Sequence, residues 1–209
     1  MLIESGAYTR ARALHRARVE SLQPLGDSRV HHRIHIFGAS GSGTTTLGLA
    51  LSKELHIPHL DTDAYYWKRT DPPFVEKNEP SDRIHQVRHD VAGVDSWILS
   101  GSICGWGDCL LSCFTTAVFL HLGPSIRMKR LMMRELERYG DRIRPGGDVY
   151  EQHLEFISWA ESYDTAVAPI RSLDLHGKWM TTLSCPVIKP SSNRSIEALV
   201  QEVILHVAA

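Results

Sequence analysis

Apolar residues fall in short blocks separated by polar, glycine-containing stretches, and the blocks alternate between strand-like and helix-like spacing. Residues 33–37 (Arg-Ile-His-Ile-Phe) read as a strand. Residues 45–55 carry Leu47, Leu49, Ala50, Leu51 and Leu55, which predicts a buried helix. Residues 58–61 are a short second strand with an acidic end. Ser81, after Pro80, suits the N-cap of a helix running to about residue 92, and Gly93 stops it. Residues 97–100 (Trp-Ile-Leu-Ser) form a third strand ending at Gly101. The near-continuous apolar run 117–122 suits a fourth strand covered on both faces. A helix over 125–139, a loop over 140–147 with Pro145-Gly146-Gly147, and a helix over 148–166 follow. Residues 186–188 are a fifth strand. The last helix, 195–207, places Ile196, Leu199, Val200, Val203, Ile204 and Val207 on one stripe.

Strands alternating with helices predict a three-layer α/β/α fold, a parallel sheet with helices on both faces. Ligands in such sheets bind beyond the carboxyl ends of the strands. The polar segments 38–46, 61–67 and 101–107 all follow strand ends. Residues 1–28 read as a helical extension, Arg- and Ala-rich over 7–22 and ended by Pro24 and Gly26. Residues 29–209 are then the domain, with a lid region at about 127–150. No repeat or low-complexity tract interrupts it.

Composition narrows the function classes. The 209 residues suit one domain, and 43% hydrophobic with 22% charged residues is ordinary for a globular chain. The formal net charge of −1 gives no global electrostatic case for nucleic acid or a membrane surface. No apolar run approaches the roughly 20 residues that span a bilayer, and the Arg-rich start has no apolar secretory core. A cytoplasmic protein is expected. Cys104, Cys109, Cys113 and Cys185 show no C-x2-C spacing, so they read as buried or half-buried free thiols rather than metal ligands.

The sharpest motif is Gly38-Ala39-Ser40-Gly41-Ser42-Gly43-Thr44-Thr45, between the first strand and the first helix. Its glycine spacing is that of G-x-x-x-x-G-K-[ST], whose backbone N–H groups cradle phosphates at a helix N-terminus. Gly38, Ser40, Gly41, Ser42, Gly43, Thr44, Thr45 and Thr46 are the candidate nucleotide-binding residues, and Thr45 takes the place of the Mg²⁺-binding hydroxyl. Thr44 occupies the lysine position, so the nest keeps its backbone donors but lacks a fixed cation. A glycine-serine turn that binds nothing is the plain alternative.

Replacement charge is available at Arg127, Arg130, Arg134 and Arg138, which share one helical face. Arg130, Arg134 and Arg138 are the candidate phosphate contacts, and Lys129, Arg142 and Arg144 add charge nearby. Met128, Leu131 or Met132, and Leu136 are expected to pack that helix on the sheet. A solvated arginine face paired to Glu135 and Glu137 is the alternative. After the second strand, Asp63 is the candidate acid on the acceptor side, and Asp61 the Mg²⁺ ligand with Thr45, or a substrate contact. Either aspartate is also a common turn residue. Trp67, Ser102 and Trp106 are candidate substrate-pocket residues, although Tyr65, Tyr66 and Trp67 also suit a core under a loop.

The loop, the Leu-Asp-x-Asp after the second strand, the Trp-Ile-Leu-Ser-Gly-Ser segment and the Arg-rich helix together resemble the adenylate-kinase-like P-loop kinases. The nearest likeness is to the small bacterial adenylate kinase-related and topology-modulation proteins, over about residues 33–145. The resemblance implies a five-stranded parallel sheet in the order 2-3-1-4-5. It also implies transfer of the ATP γ-phosphoryl, with Mg²⁺, to a small acceptor. It further implies lid arginines over Arg130 to Arg142, and places Arg83 and Arg88 in the acceptor-binding stretch. Two positions depart from the pattern: Thr44 stands for lysine, and Ser100 for the acid usual at the third strand's end. Those departures leave open a nucleotide-binding regulator with little chemistry. The Arg-rich start leaves open a nucleic-acid-associated NTPase.

Overall fold

Two-residue alternation in the strands decides the architecture. In the computed structural model, which describes residues 31–191 and 193–208, β1 (Arg33–Gly38) sends Ile34 and Ile36 to one face of a sheet and His35 and Phe37 to the other. A strand apolar on both sides must be covered on both. The chain divides into two units, Met1–Val30 and His31–Ala209. The helix expected at 7–22 belongs to the first and lies outside the described residues.

The second unit is built on β1, β2 (His59–Asp61), β3 (Trp97–Ser100), β4 (Thr116–Leu120) and β5 (Val187–Ile188). All neighbours pair parallel, in the order β2-β3-β1-β4-β5. This is the expected order. Helices α1 (Thr44–Leu55) and α7 (Ile196–Val207) cover one face, packing Leu47, Leu51, Leu199, Val200 and Val203 on Ile34, Ile36, Ile98 and Val118. On the other face, Phe37, Leu99 and Phe119 meet Val87 of α3 (Pro80–Val91) and Trp179 of α6 (Leu173–Met180). Among the described residues no helix is long and apolar enough to cross a membrane.

Several local expectations need correction. Leu49 is exposed, because α1 turns Leu47, Gly48 and Leu51 inward instead. Helix α3 starts at Pro80, whose fixed φ and missing N–H suit the first turn, so Ser81 is not the N-cap. The short helix α2 (Asp63–Tyr66), α6, and a 3₁₀ turn at Asp108–Cys113 were not legible as periodic patterns. The helix expected over 148–166 is α5 (Tyr150–Glu161) followed by a 3₁₀ turn at Ser162–Asp164. The loop expected from 140 begins with a 3₁₀ turn, Gly140–Ile143. Cys109 is exposed, while Cys104, Cys113 and Cys185 are half-buried free thiols.

The largest correction concerns α4 (Pro124–Tyr139). Its inward face carries Arg127, Leu131, Glu135 and Tyr139, whereas Met132, Met133 and Leu136 are exposed. Of the residues expected to pack inward, Leu131 does so and Leu136 faces water, while Arg127 and Glu135 turn inward and Arg130, Arg134 and Arg138 stay exposed. Partners explain it. Arg127, fully buried, donates from Nη1 to the Ala160 carbonyl and from Nη2 to Asp164 Oδ2, both at 2.6 Å. It is a structural anchor between α4 and the end of α5, and it leaves the group of phosphate candidates.

Candidate nucleotide and acceptor site

The strand order reverses at β1, whose neighbours β3 and β4 lie on opposite sides, so the segment after β1 opens into the crevice at the strand ends. That segment is the Gly38–Thr45 loop. Gly38 has no room for a side chain, because a Cβ there would lie 2.3 Å from the Leu120 carbonyl oxygen. Gly41 and Gly43 adopt φ +81° and +99°, the left-handed turns that curl successive amides inward. The Ser42 N–H donates to the Ala39 carbonyl at 3.1 Å, and the Leu47 N–H to the Gly43 carbonyl at 2.9 Å. The loop therefore leads straight into the N-terminus of α1, where helix amides and dipole favour an anion. Thr44, Thr45 and Thr46 form the first turn of α1. Ser42 is buried, and its hydroxyl has no hydrogen-bond partner.

The acid at the end of β2 meets this turn. Thr45 Oγ1 donates to Asp61 Oδ2 at 2.7 Å, and Asp61 Oδ1 accepts the Asp63 N–H at 3.0 Å. The two residues expected to share a divalent cation are thus in contact. A hydroxyl and a carboxylate are the hard oxygen donors that Mg²⁺ takes. At the end of β3, Ser100 Oγ pairs with His59 Nε2 at 2.8 Å, so buried polar atoms fill the place where a second acid is usual.

Asp63 is the first residue of α2 and keeps solvent access. The protein packed around it still desolvates its carboxyl and raises it above the ordinary carboxylate value, and nearby Asp61 raises it further. Arg171, Arg134 and Arg138 pull the other way. Sequence reasoning placed Arg134 and Arg138 near the phosphate loop, and the fold brings them to Asp63. Both also reach the nearly buried Glu135, at 3.7 and 3.6 Å. The Arg138 guanidinium lies 4.7 Å over the Phe74 ring. Arg130, one turn earlier, is exposed.

The remaining candidates spread around the cleft. Arg83 is buried, donates from Nε to the Asn78 carbonyl at 2.7 Å, and stacks 3.9 Å over Tyr66 and 5.8 Å from Trp106. Trp106 donates from Nε1 to the Ser102 carbonyl at 3.1 Å. Ser102 Oγ meets His176 Nε2 at 3.1 Å, and Tyr163 meets the other ring nitrogen at 2.7 Å. Trp67 lies edge-on to Tyr66 and Phe74. Tyr65 is core. Arg142 is held by Asp148, with Nη2 to Oδ2 at 2.6 Å, and by Asp71 at 3.2 Å. It ties the segment after α4 to the loop after α2.

Arg171 went unnoticed in the sequence. It precedes Ser172, the N-cap of α6, whose hydroxyl accepts the Leu175 N–H at 3.1 Å and fixes the chain there. Nη2 of Arg171 donates to Ser40 Oγ at 2.6 Å, and its guanidinium stacks 4.5 Å from the Trp159 ring. Its Nε is enclosed without a hydrogen-bond partner. Burial lowers the Arg171 pKa, opposed first by Asp63. The only local sign in the sequence was a serine ahead of a weakly patterned, Gly-containing helix of eight residues.

No family model matches the chain. It is 47% identical over 171 residues to the uncharacterized protein YqaC of Bacillus subtilis, covering 82% of this chain and 94% of YqaC. It is 33% identical over 116 residues to a shikimate kinase of Bacteroides fragilis, covering 51% of this chain and 65% of that enzyme. Among solved structures, a shikimate kinase of Bacteroides thetaiotaomicron superposes with TM-score 0.53 at 21% identity, covering 85% of this chain and 99% of that one. A putative kinase of Chloroflexus aurantiacus gives TM-score 0.54 at 17% identity, over 87% and 98%. The fold is that of the P-loop kinases.

Proposed function

The chain belongs to the family of Bacillus subtilis YqaC, and we propose that it is a phosphotransferase moving the ATP γ-phosphoryl to a hydroxyl or phosphate oxygen of a small molecule. The observation that carries this reading is the joint placement of the nest, the Thr45–Asp61 contact and Asp63 at one crevice. The shikimate kinase likeness supports an organic hydroxyl acceptor, and the motif likeness to adenylate kinase-related proteins supports ATP as donor.

Each residue has a part in this reading. Backbone amides of residues 38–46 hold the phosphates. Thr45 and Asp61 would hold Mg²⁺, which supplies charge compensation to the transferring group. Asp63 accepts the proton of the attacking acceptor, and its raised affinity for a proton suits that role. Arg134 and Arg138, anchored by Glu135, carry positive charge to the same place. The acceptor oxygen bonds to the γ-phosphorus as the bond from that phosphorus to the bridging oxygen breaks. ADP leaves and the proton passes to Asp63. Tyr66, Trp67, Arg83 and Trp106 form the acceptor wall.

The test is acceptor-dependent ADP formation from ATP and Mg²⁺ over a panel containing shikimate, other hydroxy acids, nucleosides and nucleoside monophosphates. An active acceptor should be phosphorylated by the wild type and not by Asp63→Asn. Activity should fall on acidification with a midpoint above the ordinary carboxylate value, since protonated Asp63 cannot act as base. An Asp63→Asn protein with undiminished turnover would remove the assigned role. Tight nucleotide binding without turnover on any acceptor would favour a regulator instead.

A further inference from the structure

We propose that Arg171 takes over the task of the lysine absent at Thr44: its guanidinium binds the terminal phosphate of the bound nucleotide and stays on it during transfer. The inference rests on the phosphotransferase reading and adds a cation to it.

Thr44 has no charge to offer, and the loop itself contains no basic residue from Gly38 to Thr46. Arg171 reaches the loop from a segment 131 residues away, through Ser40 Oγ at 2.6 Å. A lysine at 44 would rise from α1, whereas Arg171 arrives from the start of α6. Its location is defined at two ends, because it hydrogen-bonds the loop and acts electrostatically on Asp63. In the proposed reading, the phosphoryl group moves between the two places that this guanidinium faces, the loop at Ser40 and Asp63.

The side chain is built in. The Trp159 ring backs it, and the Ser172 cap holds the backbone next to it. Its Nε is enclosed and unpaired. An enclosed N–H of a cation without a partner is costly unless a ligand supplies one. Guanidinium forks match phosphate oxygens, so an anionic oxygen is the natural complement. During transfer the acceptor oxygen bonds to the γ-phosphorus, the bond to the bridging oxygen breaks, and the proton goes to Asp63. Arg171 exchanges no atom and balances charge on the phosphoryl oxygens.

The experiment compares the binding of two Mg²⁺ nucleotides by calorimetry: ADP, and a non-hydrolysable ATP analogue with an imido bridge. The proteins are the wild type, Arg171→Gln, Thr44→Lys and the double variant, each checked for folding by thermal melting. Arg171→Gln should weaken the ATP analogue roughly 10- to 100-fold, the scale of a lost hydrogen bond to a charged group. ADP affinity should change no more than about threefold, because the contact is to the terminal phosphate. Adding Thr44→Lys should restore most of the lost affinity, which a merely structural arginine would not allow. Arg171→Lys, which keeps the charge, serves if the glutamine variant does not fold, and should show the same selective loss in weaker form. Equal loss of both nucleotides, no loss of either, or no rescue by Thr44→Lys would overturn the assignment while leaving the kinase reading intact. A wild type that binds neither nucleotide would overturn both.

Discussion

Replacing Arg127 with methionine should cost stability and spare nucleotide binding. Arg127 is the one member of the arginine series on α4 that is wholly buried. Its guanidinium satisfies the Ala160 carbonyl and Asp164 at 2.6 Å each, and Tyr163 packs on it with the ring centre at 5.2 Å. Methionine keeps most of the stem but leaves the Asp164 carboxylate facing protein, with the His121 ring nitrogen at 3.7 Å. Removing one member of a buried pair costs about 3–5 kcal/mol. Asp164 is 22% exposed, so water recovers part of this and the lower end, about 3 kcal/mol, is expected. For a unit of this size that is a fall in Tm of roughly 6–12 °C. Urea denaturation gives the free energy and calorimetry gives the affinity for Mg²⁺-ATP. A second change, Asp164→Leu, should return part of the loss by removing the stranded carboxylate. A variant as stable as the wild type but with weakened nucleotide binding would refute the structural role and return Arg127 to the phosphate group.

Two further outcomes test the frame around the site. Gly38→Ala should abolish nucleotide binding and cost about 1–3 kcal/mol, the usual scale of overpacking, since its Cβ meets the Leu120 carbonyl at 2.3 Å. Wild-type melting and binding in that variant would mean the loop sits away from β4. His35 and His176, enclosed on the α6 side of the sheet, have pKa values lowered to about 3, in both cases by burial first. The unfolded chain binds these protons below 6.5 and the folded one only below about 3, so stability is full above 6.5 and falls with pH through that window. At pH 4.5 the loss is roughly 2–3 kcal/mol per histidine. The stability difference between pH 7 and pH 4.5 should therefore shrink in His35→Phe, measured by urea titration. An unchanged difference would show that His35 is not titrating across folding.

The placement of the Gly38–Thr45 loop beside the acids after β2 was legible because each is a contiguous segment whose neighbours in sequence are its neighbours in space. The order of the sheet followed from the resemblance those motifs carry. The orientation of α4 was legible only in part. Apolar spacing pointed inward with Met128, Leu131 or Met132, and Leu136, and Leu131 is buried there, yet the buried Arg127 has partners that no local pattern reveals: Asp164 and Ala160 lie on a later segment. Arg171 was hidden for the same reason. Its contact with Ser40 joins the loop after β1 to the segment between α5 and α6, far apart in sequence, and the short helix that fixes it contains Gly177, which weakens any helical signal.

In the proposed reading, the charges around Asp63 compensate for the lysine absent at Thr44. Arg134, Arg138 and Arg171 face Asp61, Asp63 and Glu135, three cations against three carboxylates. Before any ligand arrives the set is close to neutral, and each arginine is already drawn toward an acid. In the proposed reading, attraction for a polyphosphate would depend on the amides of the loop and of α1, with a divalent cation at Thr45 and Asp61 relieving the acidic side. Arg171 hydrogen-bonds the loop through Ser40 and acts electrostatically on Asp63, and in the proposed reading it links the donor and acceptor halves of the site.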